Sequence, residues 1–232
     1  MEKKYGGFIV KEKIIENPTL PQDHSQEDGL VARSITSYTN DRVTTVGQRC
    51  FQTNSVIEEV HLANVTQVGE NAFYGCANLR VIDMPNLLEA GNSSFANNLG
   101  LINVSLPNMQ ITAQSFRDCT NLETITFGDL QVLGAGCLTH CKKLTKVILL
   151  KKTDPNKICT LQGTTTFNGA DHFLGTVSTY NPEGLKDGYI YVPDELLYTE
   201  YDENGNVIKQ GYDTATNWNA FASQLRGLSE LE

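Results

Sequence analysis

The residues best suited to chemistry in this chain stand together as Cys137-Leu138-Thr139-His140-Cys141. Two thiols and an imidazole are ligand types that zinc accepts, so an enzyme or a zinc protein built on Cys137, His140 and Cys141 is one reading of the run. A closed zinc site normally draws four ligands from two separated pairs, and the sequence has no second pair; Cys159 stands alone. The order also differs from the Cys-x-x-Cys-His of haem attachment. His24, His61 and His172 are far apart and share no spacing with a carboxylate or nucleophile. Gly-x-Ser-x-Gly, His-Glu-x-x-His and a phosphate-cradling glycine loop are all missing. Gly134-Ala135-Gly136 resembles such a loop only superficially. The adjacent acids Asp194 and Glu195 lack the separated environments of an acid/base pair. The expectation is a chain without catalytic residues, resident metal or cofactor.

Charge narrows the partners. The chain has 232 residues with 27 acids against 18 bases, a net charge of −9. Residues 151–232 hold twelve of the acids and six of the bases, with the densest run from Asp194 to Glu203. A nucleic-acid binder needs Lys and Arg massed on one face, and a protein held on anionic lipid by charge needs the same excess. Neither partner is expected. The longest aliphatic run, Val147-Ile148-Leu149-Leu150, falls far short of the ~20 residues of a spanning helix. The apolar stretch Phe8-Ile9-Val10 is cut off by Lys11-Glu12-Lys13, so neither a secretion signal nor a lipid or wall anchor is read from the ends.

The elements that position these residues follow from an internal period. A small residue precedes a large apolar one at Cys50-Phe51, Ala72-Phe73, Ser94-Phe95, Ser115-Phe116 and Cys137-Leu138, at spacings of 22, 22, 21 and 22 residues. Three positions on stand Asn54, Cys76, Asn98, Cys119 and Cys141. Six on stand Ile57, Leu79, Leu101, Leu122 and Leu144; nine on, Val60, Ile82, Val104, Ile125 and Val147; eleven on, Leu62, Met84, Leu106, Phe127 and Leu149. The ending of each unit alternates with period two, which is a short strand with one buried face. Two inward residues make no core alone, but coils stacked about 5 Å apart turn them into continuous columns. Cys50, Cys76, Cys119, Cys137 and Cys141 all fall on two such columns and read as buried thiols. Pro85 and Pro107 follow strands at one offset and force the chain around a corner.

Units such as Val68-Gly69-Glu70-Asn71-Ala72-Phe73-Tyr74-Gly75-Cys76-Ala77-Asn78-Leu79-Arg80-Val81-Ile82-Asp83-Met84-Pro85 resemble the BspA-type leucine-rich repeat of bacterial surface proteins, over residues 43–150. Gly188–Pro193 and Ala215–Trp218 resemble the usual end of short family members. Departures are Leu138 for Phe, Asn54 and Asn98 for Cys, and a lost glycine at Ile111-Thr112. The resemblance implies an α/β fold: a right-handed leucine-rich-repeat solenoid with short parallel strands on its concave face and a cap at each end. It also implies cell-surface adhesion or binding of host or neighbour proteins.

Three regions are expected: an N-terminal arm and cap over 1–42, five repeats over 43–150 and a C-terminal cap over 151–232. Ile35 and Tyr38 belong to a partial first coil, Phe8–Val10 and Ile14-Ile15 to a strand or helix turn, and Asn17–Gly29 to a loop. The C-terminal cap is expected to hold a strand at Tyr189–Val192, a hairpin turn at Asn204-Gly205, and an amphipathic helix over Thr214–Leu228 carrying Trp218, Phe221, Leu225 and Leu228. The side chains facing outward from the strands are Glu59, His61, Val81, Asp83, Asn103, Ser105, Thr124, Thr126, Lys146 and Ile148. They form the candidate binding surface for a protein or glycan ligand, with no aromatic stripe for sugar stacking. An ordinary solvated sheet face is the plain alternative. A structural or receptor-binding part of a phage or prophage particle is the rival role.

Overall fold

A computed structural model describes residues 2–5, 8–11, 19–20, 35–150, 154 and 157–231. The expectations placed on Ile14-Ile15 and on residues 21–34 lie outside them. The N-terminal arm holds an antiparallel pair, β1 (Glu2–Tyr5) and β2 (Phe8–Lys11). Inside the stretch expected to be loop, β3 (Thr19–Leu20) instead pairs in parallel with a strand of the first coil.

From β4 (Ser37–Thr39) onward each coil lays down one longer and one two-residue strand. These are β5 (Thr45–Val46), β6 (Glu59–His61), β7 (Gln67–Val68), β8 (Val81–Asp83), β9 (Glu89–Ala90), β10 (Asn103–Leu106), β11 (Ile111–Thr112), β12 (Thr124–Phe127), β13 (Val132–Leu133), β14 (Lys146–Leu149), β15 (Thr160–Leu161) and β16 (Tyr189–Val192). The chain ends with a hairpin, β17 (Glu200–Tyr201) and β18 (Val207–Lys209), and with β19 (Leu225–Gly227). The two-residue strands form one unbroken seven-stranded parallel sheet, β15-β13-β11-β9-β7-β5-β3. The longer strands form two pieces, β4-β6-β8 and β10-β12-β14-β16-β19.

Between the sheets lie the predicted columns. Phe51, Phe73, Phe95 and Phe116 stack face to face with centroids 4.9, 5.4 and 5.2 Å apart. Tyr38 closes the column at its start, 5.4 Å from Phe51. Such offset stacks add to the burial of large apolar surface. Two turn columns flank the phenylalanines with left-handed backbone. One comprises Arg49, Asn71, Ser93 and Gly136, the other Thr53, Gly75, Asn97, Asp118 and His140. A column of asparagines bridges successive coils: Asn64, Asn86 and the half-buried Asn108 donate to the carbonyls of Asp41, Ala63 and Pro85 at 2.6, 2.8 and 2.7 Å.

The register relocates the lost glycine. Thr112 pairs with Ala90, so Ala113 occupies the column of Gly69, Gly91 and Gly134. The residue missing from that coil is the left-handed one that stands at Asn71 and Ser93 in its neighbours. Shortening the turn there keeps both the strand register and the phenylalanine stack.

The repeat continues past residue 150. Leu138 N–H donates to Thr166 O just as Phe73 N–H donates to Ser94 O, so Thr166-Phe167 is a sixth small-Phe step. It stands 29 residues after Leu138, which hid it from a 22-residue search. The expected helix over Thr214–Leu228 is not formed. Trp218–Gln224 is a 3-10 helix entered through left-handed Asn217, and Leu225 belongs to β19. Pairing of β19 with β16 overrides the helical spacing, while Trp218, Phe221 and Leu225 still bury their side chains. Trp218 Nε1 donates to Cys159 O at 2.6 Å and Cys159 N–H to the Tyr212 hydroxyl at 2.9 Å, so the off-register cysteine is where the cap docks.

Candidate functional site

The longer strands carry two outward rows, set by their register. The first reads Ser37, Glu59, Val81, then Asn103, Thr124, Lys146, Tyr189; the second reads Thr39, His61, Asp83, then Ser105, Thr126, Ile148, Tyr191, Arg226. Every predicted surface residue takes its place in one of these rows. Ile148, however, is only 8% exposed and offers a ligand little area. The rows are also longer than expected, with Ser37 and Thr39 added at one end and Tyr189, Tyr191 and Arg226 at the other. The expectation of no aromatics on this face is therefore overturned. The alternating Tyr189-Ile190-Tyr191-Val192 was visible in the sequence, but the long insertion before it hid its place beside β14.

At the N-terminal end the face is a charged network. Arg80 Nη2 meets Glu58 Oε2 at 3.1 Å and Glu59 Oε1 at 2.8 Å. His61 Nδ1 lies 3.0 Å from Asp83 Oδ2, and its Nε2 lies 3.5 Å from Glu59 Oε2. The hydrogen bond to Asp83 holds the His61 imidazole above the usual histidine range, with Glu59 acting in the same sense. At the other end the Arg226 guanidinium lies 4.4 Å from the Tyr189 ring centroid and so covers one face of that ring.

Between the two ends the ladder is interrupted. Val81 N–H bonds Glu58 O at 3.1 Å, Thr124 N–H bonds Ile102 O at 3.2 Å and Lys146 N–H bonds Glu123 O at 3.1 Å, yet Asn103 N–H has no such bond to Arg80 O. Leu62 N–H bonds Asp83 O at 2.9 Å, whereas Met84 N–H makes no corresponding bond to Ser105 O. A shallow cleft of about 410 Å³ opens along this joint, lined by Arg80, Asp83, Asn103, Ser105 and the two prolines Pro85 and Pro107. Ile82 is only half-buried there, while Val60, Ile125 and Val147 in the same column are fully buried. The side chains of Asn103 and Ser105 have no hydrogen-bond partner among the described residues.

The cysteine-histidine run takes a different shape from a metal site. His140 stands in the left-handed turn column, 54% of its side chain exposed, with Nδ1 2.7 Å from Asp118 Oδ1 of the preceding coil. Cys137 and Cys141 point inward and are fully buried. Cys141 Sγ donates to Phe116 O at 3.2 Å, as Cys76 does to Phe51 O at 3.0 Å and Cys119 to Phe95 O at 3.2 Å. Burial pushes the thiol of Cys137 up to about 11 and those of Cys76, Cys119 and Cys159 up to about 12. Thiols held protonated in this way are poor nucleophiles and poor ligands.

Stacked coils, two parallel sheets and a small-Phe-Cys ladder define a leucine-rich-repeat solenoid. The model of the BspA type Leucine rich repeat region matches residues 44–160 in 6 copies, and the chain belongs to that family. Among solved structures, the pneumococcal vaccine antigen PcpA is 17% identical with a TM-score of 0.52, covering 70% of this chain and 37% of that one. A leucine-rich repeat protein from Bacteroides ovatus is 18% identical with a TM-score of 0.48, covering 70% and 50%. The Treponema leucine-rich repeat protein TpLRR (T. pallidum) is 23% identical with a TM-score of 0.47, covering 49% and 58%. The chain thus spans less than two thirds of each of these proteins. No curated protein sequence matches it. Among the described residues no helix is long and apolar enough to cross a membrane.

Proposed function

We propose that the chain is a non-enzymatic interaction module whose long-strand face binds a protein ligand, in the manner of adhesion or host interaction at a bacterial surface. The observation that carries this reading is the cleft between β8 and β10. There the side chains of Asn103 and Ser105 have no hydrogen-bond partner among the described residues, Asp83 and Arg80 stand at the rim, and the backbone ladder towards β8 is left open. Polar groups held on a rigid scaffold without internal partners are suited to bonds from outside. A protein ligand is favoured over a glycan because Arg226 occupies one face of Tyr189 and Tyr191 is only 7% exposed, so the tyrosines present little open ring for a sugar.

The test is a screen of the purified chain against host proteins and glycans, followed by the double substitution Asp83→Lys and Thr126→Lys. Both positions lie in the second row on either side of Ser105, so two added ammonium groups alter the charge and shape of the cleft rim without touching the core. The expected outcome is at least about a tenfold loss of affinity with an unchanged melting temperature. Unaltered binding by the double variant overturns the assignment of this face.

A further inference from the structure

We propose that the C-terminal end of the long-strand face, around Lys142, Lys143, Lys146 and Arg226, is the docking site for an acidic segment of a protein partner. The inference rests on the reading of this face as protein-binding, and adds the chemistry and the orientation of what binds. Residues 142–157 hold six of the 18 bases and one acid, Asp154, in a chain whose net charge is −9. Lys142 and Lys143 stand in the turn that enters β14, and Lys146 is the first residue of that strand. Lys142 Nζ and Lys143 Nζ each lie 5.7 Å from the centroid of the Tyr180 ring, so two like charges converge on one side chain. Lys146 pairs in register with Tyr189, the ring that Arg226 covers at 4.4 Å. Tyr189 N–H donates to Thr145 O at 2.8 Å, which ties this second pair of cations to the turn that carries the first. The acids of the same segments are held elsewhere. Asp187 lies 2.7 Å from His172 Nδ1, and Glu230 Oε1 accepts from Gly227 N–H at 3.0 Å while its other oxygen stays 3.8 Å from Arg226 Nε. None of the three lysines has an ion pair among the described residues, with Glu123 and Glu183 included. Like charges gathered without a counterion repel one another, and carboxylates supplied from outside relieve that repulsion.

The opposite end of the face decides between a protein and a sulfated glycan. There Glu58, Glu59 and Asp83 outnumber Arg80, with His61 held between Glu59 and Asp83. The uncharged Asn103, Ser105, Thr124 and Thr126 separate the two ends. A glycan polyanion carries one sign along its whole length, so the part of it that runs on from the lysines along the face meets those carboxylates. A folded protein sets acids against the lysines and bases against Glu58, Glu59 and Asp83. The face is therefore polar along the stack of coils, and its polarity fixes which way round the partner sits. The total charge sharpens the assignment. A body at −9 repels anions in general, so an acidic probe that binds must find a local basic patch.

Fluorescence anisotropy of a labelled oligoglutamate of about twelve residues, titrated with the full chain at about 20 mM and about 300 mM salt, tests the proposal. The expected result is saturable binding at low salt that is lost at high salt, and that weakens at least about tenfold in Lys142→Glu/Lys143→Glu. Lys142→Arg/Lys143→Arg keeps both charges and is expected to stay within about twofold of the wild type. So is Arg42→Glu/Lys209→Glu, which changes the net charge by as much as the first variant but outside the patch. No binding at low salt, equal losses in the two reversal variants, or binding of heparin without binding of oligoglutamate overturns the proposal. Asp83→Lys/Thr126→Lys keeps all four cations and is expected to bind oligoglutamate at least as tightly as the wild type. The two assignments therefore fail separately: loss of oligoglutamate binding leaves the cleft between β8 and β10 untouched, and a protein ligand indifferent to the Asp83 and Thr126 substitutions leaves the basic end standing.

Discussion

One column position shows how a single residue decides the tightness of a joint. Cys76, Cys119 and Cys141 each donate a thiol hydrogen to the phenylalanine carbonyl of the preceding coil. Asn98 stands in the same column but turns its Nδ2 to Phe95 O of its own coil at 3.0 Å, leaving Oδ1 buried without a partner. The unpaired Ser94 hydroxyl lies in that coil as well, and its strand β10 is the one that parts from β8. A buried unsatisfied polar atom costs about 1–3 kcal/mol. Asn98→Cys is therefore expected to raise stability by about 1–2 kcal/mol, read as a higher urea midpoint at an unchanged slope. Asn54 is a different case: its Oδ1 accepts from Val56 N–H at 3.0 Å and Ile57 N–H at 3.1 Å. Asn54→Cys is expected to lower stability by a similar amount, and the same sign for both substitutions would defeat the argument.

At the scale of the element, the spacing of small, aromatic and branched residues was enough to place strands, turns and buried columns. The outward rows followed from the same alternation. Three features were hidden, each for a physical reason. The deletion before Ser115 lies in a turn, where sequence identity says little about register. The sixth coil lies behind an insertion, which shifts Phe167 and Tyr189 off the period. The apolar spacing of Trp218, Phe221, Leu225 and Leu228 reads as a helix because only tertiary pairing with β16 makes Leu225 a strand residue. The glycine column was legible, and its reason is visible in the fold. A Cβ on Gly69 would stand 2.7 Å from Gln48 N and 3.0 Å from Gln48 Cα, both backbone atoms of the preceding coil. Gly69→Ala is expected to cost about 1–3 kcal/mol, because two coils must part to admit one methyl. Denaturation showing a loss below about 0.5 kcal/mol would mean that the coils yield more easily than this packing implies.

Across the whole molecule the thiol columns make stability depend on alkaline pH. Six cysteines are buried from Cys50 to Cys159, and loss of contact with water raises every one of them above the ordinary thiol value of 9.0. In the folded chain Cys76, Cys119 and Cys159 keep their protons up to about 12 and Cys137 up to about 11. The unfolded chain releases the same protons near 9, so below that pH the two states bind equal numbers and the stability is intact. Above it the unfolded state gains the free energy of ionisation and the folded state does not, so stability falls as pH rises towards the folded values. Each thiol contributes a slope of about 1.4 kcal/mol per pH unit across that window. Several thiols acting together exhaust a total stability of about 5–15 kcal/mol within one or two units. The expected behaviour is a urea midpoint that is flat to pH 8 and collapses between about pH 9 and pH 11 in the presence of reductant. A Cys76→Ala/Cys119→Ala variant is expected to lose about 3 kcal/mol per pH unit from that slope. An unchanged slope in the variant would show that other groups, and not the buried thiol ladder, drive alkaline unfolding.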